Sequence, residues 1–268
     1  MIKNIKLFIN KNEESIKLGK VVRENFIKNG FNITDDDFDL GIAIGGDGAF
    51  LRMVRSTSFD SNPYYVGINS GTLGFLQEVK SNEVDKLIQE LIAKKYKVDE
   101  IGIQETDIKY GNNFSSKLYT LNEIVIRDEL LKMVKFYVTI DDDLLELFTG
   151  DGLLIASSQG STAHNLSYGG SIVYNTFSSL QITPIAPINS KAYRTLNNSV
   201  IIPTNKDIMV KPIGDRKNLI VTYDGNNITY EDVSSITTSI KDKKIKCLRF
   251  SHYNFPQKIN EKLLSNEN

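Results

Sequence analysis

The sequence predicts an α/β N-terminal domain, with a parallel sheet and glycine-rich loops, followed by a mostly β C-terminal domain. Three observations lead there. Apolar strand-like runs alternate with amphipathic helical stretches up to about residue 98, the order expected of βαβ units. Two of those runs empty into glycine loops, Gly45-Gly46-Asp47-Gly48 and Asn69-Ser70-Gly71-Thr72-Leu73-Gly74. Beyond about residue 98 the helical period gives way to alternation and helical stretches nearly vanish.

Residues 1–9 read as a first strand; lysines interrupt it, and it lacks the apolar core and cleavage site of a signal peptide. Residues 11–29 carry Leu18, Val22 and Phe26 at four-residue intervals and stop at Gly30, the pattern of an amphipathic helix. A buried strand follows at 40–44, then a helix whose apolar side is Phe50, Leu51 and Val54, and a short strand at 65–69. Two parallel strands ending in glycine loops at one sheet edge define the crevice in which α/β ligands bind. A helix at 82–95, with Val84, Leu87, Ile88, Leu91 and Ile92 on one face, closes this layer. The first domain is placed at 1–98 and the second at 99–249, with strands at 101–110, 117–126, 133–140, 144–148, 199–203, 207–212, 218–224, 228–230, 234–240 and 245–250. Asp141-Asp142-Asp143 reads as a solvated hairpin turn rather than a metal site, and Asp224-Gly225 as a second hairpin turn. The tail from Pro256 is polar and expected to be partly disordered.

A chain of 268 residues suits two modest domains. Lys+Arg 32 against Asp+Glu 33 gives a formal charge of -1, which argues for a small soluble ligand and against nucleic acid or an anionic membrane surface. Cys247 is the lone cysteine, so no intrachain disulfide can form, and His164 and His252 are too few for a Cys/His zinc site. These features point to a reducing compartment, the cytoplasm, and to Mg²⁺ held by oxygens as the metal in use. No apolar stretch is long enough to cross a bilayer.

The chemistry concentrates at Gly45-Gly46-Asp47-Gly48. A strand emptying into glycines lets backbone N–H groups approach an anion, and the following helix adds the positive end of its dipole. Nucleotide phosphates fit such a place. A carboxylate there is repelled by the ligand unless it contacts a hydroxyl or a hydrated metal. Asp47 therefore suggests a base held against an acceptor alcohol, with a phosphoryl donor over the glycines. The same residues also suit a β-turn in which glycine supplies positive φ and Asp47 caps the next helix. In the β domain, Asn122-Glu123 interrupts the apolar run 119–126, where a buried amide and carboxylate need hydrogen-bonding partners such as ribose hydroxyls and a base edge. Residues 150–167 form a strand running into Ser157, Ser158, Ser161 and Thr162 at a helix start, a density of hydroxyls that suits a ligand surface.

In order and spacing, Gly45-Gly46-Asp47-Gly48, 69–76, Leu121-Asn122-Glu123, Gly150-Asp151-Gly152 and Gly160-Ser161-Thr162-Ala163 resemble the bacterial NAD kinases of the ATP-NAD kinase family, over roughly residues 2–250. The glycine–acid loop alone is shared with diacylglycerol and sphingosine kinases and phosphofructokinases. The Asn-Glu pair and the Gly-Ser-Thr-Ala segment are more specific. The resemblance implies a kinase moving the terminal phosphoryl group of ATP, with Mg²⁺ or another divalent cation, to the 2′-hydroxyl of the adenosine ribose of NAD, giving NADP. It implies Asp47 as the base or orienting acid, and Gly45, Gly46, Gly48 and Arg52 at the ATP phosphates. It also implies an NAD pocket of Asp47, Gly48, Phe75, Asn122, Glu123, Asp151, Thr162, Ala163, His164, Ser167 and Ala186, and no protein metal ligand. A C-terminal segment 250–268 would return to the first domain, and a neighbouring subunit of a homodimer or homotetramer would complete the NAD site.

Ala49, Thr72, Thr149, Gln159, His164 and Asn226 depart from the residues usual in that family at those positions. They bear on NAD affinity and donor choice while leaving Asp47 in place. Two other readings share parts of the pattern: a kinase of a lipid or another alcohol, and a non-catalytic dinucleotide sensor.

Overall fold

The computed structural model describes residues 2–71, 74–215, 217–251 and 254–265; His252 lies outside them. In chain order the elements are β1 (Asn4–Ile9), α1 (Glu13–Lys28), β2 (Asn32–Ile33), β3 (Leu40–Ile44), α2 (Asp47–Ser56), β4 (Tyr64–Ile68), α3 (Val84–Ile92), β5 (Tyr96–Tyr110), β6 (Phe114–Thr120), β7 (Glu123–Asp128), β8 (Val134–Ile140), β9 (Asp143–Gly150), β10 (Gly152–Ser157), the single turn α4 (His164–Ser167), β11 (Ser179–Ile185), β12 (Val200–Pro203), β13 (Ile208–Pro212), β14 (Leu219–Tyr223), β15 (Asn226–Tyr230), β16 (Val233–Phe250) and α5 (Phe255–Ile259). They group into two compact units, Met1–Ile101 with Lys243–Asn268, and Gly102–Asp242.

In the first unit β2, β1, β3 and β4 pair in that order, all parallel, and Lys246 and Cys247 of β16 add alongside Tyr64 and Tyr65 of β4. β3 is buried at all five positions, as a strand covered on both faces must be. Ile5, Ile42, Ile44 and Val66 of the sheet pack with Val22 and Phe26 of α1 and Leu87, Ile88 and Leu91 of α3. Burying each such side chain contributes roughly 1.5–3 kcal/mol. Ile44 lies opposite Ile68 in parallel register, so the loops after β3 and β4 leave the sheet at the same edge. Of the tail expected to be partly disordered, the described part begins as α5, because Asn254 caps it by accepting the Gln257 N–H at 3.0 Å and Phe255 is buried; residues 266–268 lie outside the described residues.

The second unit is a pair of antiparallel layers. β12, β11, β10, β7, β14 and β15 form one sheet. In the other, β8 pairs with β9 and β13, and β13 with Thr237 and Thr238 of β16 among others. Alternate residues of the two sheets meet in one core: Phe136, Val138 and Phe148 from one, Ile124, Ile126, Leu153, Ile155 and Val221 from the other. The outward residues Val125, Leu154, Ala156 and Ile185 are covered by Tyr168, so the loop after β10 lies on that face. Both expected hairpin turns form with left-handed residues, Asp141 and Asp142 at φ 49 and 72 and Asp224 and Gly225 at φ 42 and 79.

Candidate functional site

The first cluster grows from the end of β3. Gly45 has φ +148, and a Cβ there would lie 2.8 Å from that of Ala49, so only glycine fits. Gly46 precedes α2 as its N-cap without a side-chain cap, and Gly46 and Gly48 are exposed. A Cβ at Gly46 would meet no described residue within 4 Å, which suits the approach of an anion to the helix start. Arg52, one turn along, is exposed and donates to Asn10 Oδ1 at 2.6 Å.

Asp47 does not cap its own helix. Its Oδ2 accepts the Phe75 N–H and its Oδ1 the Leu76 N–H, each at 2.9 Å. Among the described residues these two bonds occupy two of about four lone-pair positions. Gly74 makes this approach possible, since a Cβ there would sit 2.0 Å from Asp47 Oδ1. Gln77 Nε2 donates to the Gly46 carbonyl at 2.8 Å. The second glycine loop thus holds the acid of the first. Thr72 lies outside the described residues; Phe75 is half-buried, its ring centroid 6.4 Å from that of Phe255.

The second cluster lies in the β unit, where the single strand expected at 117–126 is two strands. β6 ends at Thr120 and β7 starts at Glu123 because Leu121 and Asn122 turn their N–H groups to the Asp224 carboxylate, both at 2.8 Å. Ser157 donates its N–H to the Asn122 carbonyl at 2.8 Å, and a Cβ at Gly160 would stand 2.1 Å from that oxygen. Asn122 and Glu123 are each 6% exposed, and Asn122 Oδ1 and Glu123 Oε2 are buried with no hydrogen-bond partner among the described residues. Burial, and then the negative charge of Asp224, push the Glu123 carboxyl up to about 8.

Thr162 and Ala163 are half-buried on the segment after β10, and His164 and Ser167 are exposed, the His164 ring packing on Tyr168 at 5.3 Å. The expected helix start is only a 3₁₀ turn, Gln159–Thr162, and one α turn. Beneath it the buried Asn165 donates to Gln181 Oε1 at 3.0 Å and accepts from the Thr183 hydroxyl at 2.6 Å. Gln159 reaches the Asn175 carbonyl at 3.4 Å, and Asn226 the carbonyls of Tyr223 and Asp224 at 3.4 Å.

Residues 3–96 match the profile of the ATP-NAD kinase N-terminal domain, and residues 121–247 that of the ATP-NAD kinase C-terminal domain. Over 257 residues the chain is 39% identical to an NAD kinase of Finegoldia magna, covering 92% of this chain and 93% of that one. The chain belongs to the NAD kinase family. It is also 31% identical over 249 residues to NAD kinase 1 of Halalkalibacterium halodurans, with 92% and 93% covered. Its fold is that of a yeast NADH kinase solved with NADH, at TM-score 0.83 and 22% identity over 100% of this chain and 89% of that one. An Archaeoglobus fulgidus NAD kinase solved with ATP shares it at TM-score 0.73 and 19% identity, covering 97% and 98%.

Not all the residues that the NAD kinase resemblance nominates lie together. Glu123 pairs with Ala156 near the end of β10, whereas Asp151 precedes its start and donates its N–H to the Ile185 carbonyl at 2.9 Å, beside Ala186. Five residue steps run from Asp151 to Ala156, about 16 Å at ~3.3 Å per residue. Ala186 is exposed and left-handed, φ 44. Among the described residues no group of three or more His, Cys, Asp or Glu side chains could hold a metal ion, and no helix is long and apolar enough to cross a membrane. Sequence reasoning missed Asp224 as the clamp on Asn122, and Asn165 and Gln181 beneath the hydroxyl segment; a buried polar residue in an apolar strand, as at Gln181, was the available signal.

Proposed function

We propose that Asp47 is the acid at which the reaction occurs: its carboxylate orients the 2′-hydroxyl of the adenosine ribose of NAD and takes its proton as the phosphoryl group arrives. Gly45, Gly46 and Gly48, with Arg52, receive the phosphates of ATP, and Phe75, Asn122, Glu123, Thr162, Ala163, His164 and Ser167 hold NAD. The chain is an ATP-dependent kinase that converts NAD to NADP. A secondary alcohol is a poor nucleophile until aligned and deprotonated, and a carboxylate fixed by two amides loses little freedom in doing both. Mg²⁺ enters as part of the nucleotide substrate, carried by phosphate oxygens and water, as is usual for an ion that dehydrates reluctantly.

The observation that carries the NAD assignment is the pair of buried acceptors, Asn122 Oδ1 and Glu123 Oε2, that lack partners among the described residues. Leaving such groups unmet costs about 1–3 kcal/mol each, and ribose hydroxyls with an adenine amino group would satisfy both. Asp151 and Ala186 line the same NAD pocket, and the family resemblance implies a homodimer or homotetramer in which a neighbouring copy completes that site. The reading places the chain in the cytoplasm. A lipid kinase would have no use for the two acceptors, and a non-catalytic sensor would have no use for Asp47.

The experiment is incubation with ATP, Mg²⁺ and NAD, reading NADP with an NADP-specific dehydrogenase, with Asp47→Asn alongside. A fall in turnover of at least about a hundredfold, with NAD affinity changed much less, is the expected result. Turnover retained in Asp47→Asn would overturn the role of the acid.

A further inference from the structure

The side chain of Lys258, on α5, is buried in the first unit, 7% exposed. Its ammonium donates to the Gln77 carbonyl, lies 3.4 Å from the Phe75 carbonyl and 4.0 Å from Glu78 Oε2. Glu78 is itself fixed: Oε1 accepts the Phe250 N–H at 2.9 Å, and Oε2 lies 3.4 Å from Arg249, whose Nε donates to Asp99 at 2.8 Å. The Phe75 carbonyl and the Leu76 N–H belong to one peptide unit, which is planar. Lys258 therefore grips one edge of the peptide whose other edge donates to Asp47 Oδ1 at 2.9 Å.

We propose that Lys258 is a positioning residue for Asp47, acting through the Phe75–Leu76 peptide. The ammonium fixes the carbonyl, which fixes the direction of the amide and so the carboxylate. The chain from cation through peptide to carboxylate also polarises in one sense, strengthening each bond in it. This rests on the reading of Asp47 as the reacting acid.

Among the described residues the charged groups around Lys258 include Glu78, Arg249, Asp47 and Glu261; burial outweighs the carboxylates and brings its ammonium down from 10.5 to about 8. The link should therefore weaken as pH rises through about 8. Loss of the proton leaves a weaker donor against the same carbonyls. Glu123 titrates in the same range with the opposite effect, since its ionised form is the better acceptor. Reading kcat at saturating NAD separates them.

The test is kcat and KM for NAD between pH 6.5 and 10 for the wild type, Lys258→Met, Lys258→Arg and Asp47→Asn, with thermal melts as a folding control. The wild type should lose kcat with a midpoint near 8. Lys258→Met should fall about tenfold in kcat at neutral pH with KM for NAD within about twofold, because a positioning loss is felt in the transition state. Lys258→Arg, whose cation does not titrate below pH ~12, should lose the alkaline limb. Wild-type kcat and an unchanged limb in Lys258→Met overturn the proposal. Should Lys258→Met fail to fold, a Lys258→Arg profile identical to the wild type overturns it equally. Asp47→Asn with full turnover defeats the reading of Asp47 instead, whatever Lys258 does.

Discussion

A methyl group at position 74 would occupy the space of the Asp47 carboxylate. The Cβ of Gly74→Ala would stand 2.0 Å from Oδ1, 2.5 Å from Cγ and 2.8 Å from Oδ2. The carboxylate would have to withdraw by about 1 Å to reach even the closest separation real Cβ atoms show, 3.0 Å. Doing so strains or breaks the bonds from Phe75 and Leu76, each now 2.9 Å. Hydrogen bonds to a charged group contribute about 1.5–3 kcal/mol each, so partial loss of both lowers stability by roughly 2–4 kcal/mol. A misplacement of about 1 Å at a reacting group costs on the order of 10²-fold in rate. The assay is steady-state NADP formation with a thermal melt on the same sample. Gly74→Ala should lose kcat about a hundredfold while KM for NAD moves little, because Asn122 and Glu123 are untouched. A variant within about twofold of wild-type kcat would refute the argument that this glycine exists to admit the acid.

Above about pH 8, where its carboxyl is ionised, Glu123→Ala should weaken apparent NAD affinity by tenfold or more, the value of about one buried hydrogen bond to a charged group; unchanged affinity would remove its role as ribose anchor. With its carboxyl held at about 8, KM for NAD should fall as pH rises from 7 to 9. Because that folded value lies above the ordinary 4.5, the ligand-free protein should lose stability as pH rises from about 4.5 towards 8, and Glu123→Gln should flatten both dependences in melts and kinetics. Asp224→Asn removes one acceptor from the Leu121 and Asn122 amides and the like charge beside Glu123. It should therefore raise KM for NAD and shift the midpoint of its pH dependence to lower pH; an unmoved midpoint would show that Asp224 does not act on Glu123.

What the sequence reveals of this molecule is what short-range chemistry controls. A buried strand that empties into Gly45-Gly46-Asp47-Gly48 can be read because only a tight turn accommodates it, and the turns at Asp141-Asp142 and Asp224-Gly225 because left-handed residues are few in kind. Contacts distant in sequence were not legible. Asp224 clamps Leu121 from 103 positions away and Lys258 reaches Gln77 across 181, and nothing local marks either. β11 was missed because Gln181 and Thr183 break its apolar run, although both are buried over Asn165. β16 reads as two strands because Lys241-Asp242-Lys243-Lys244 interrupts it, yet the backbone continues from Val233 to Phe250. Asn122-Glu123 was located correctly as an anomaly but misread as the interior of a strand; it is the start of one, set by the Asp224 clamp.

β10 can be viewed as a spacer that holds Glu123 and Asp151 at opposite ends of one strand. If the pocket at the Glu123 end is finished by the Asp151 end of another copy, a lesion at Asp151 is silent in its own pocket and disabling in the neighbour's. Two inactive alleles, one altered at each end, would then restore a working pocket when their products co-assemble, and selection on either end would act through the assembly rather than the single chain.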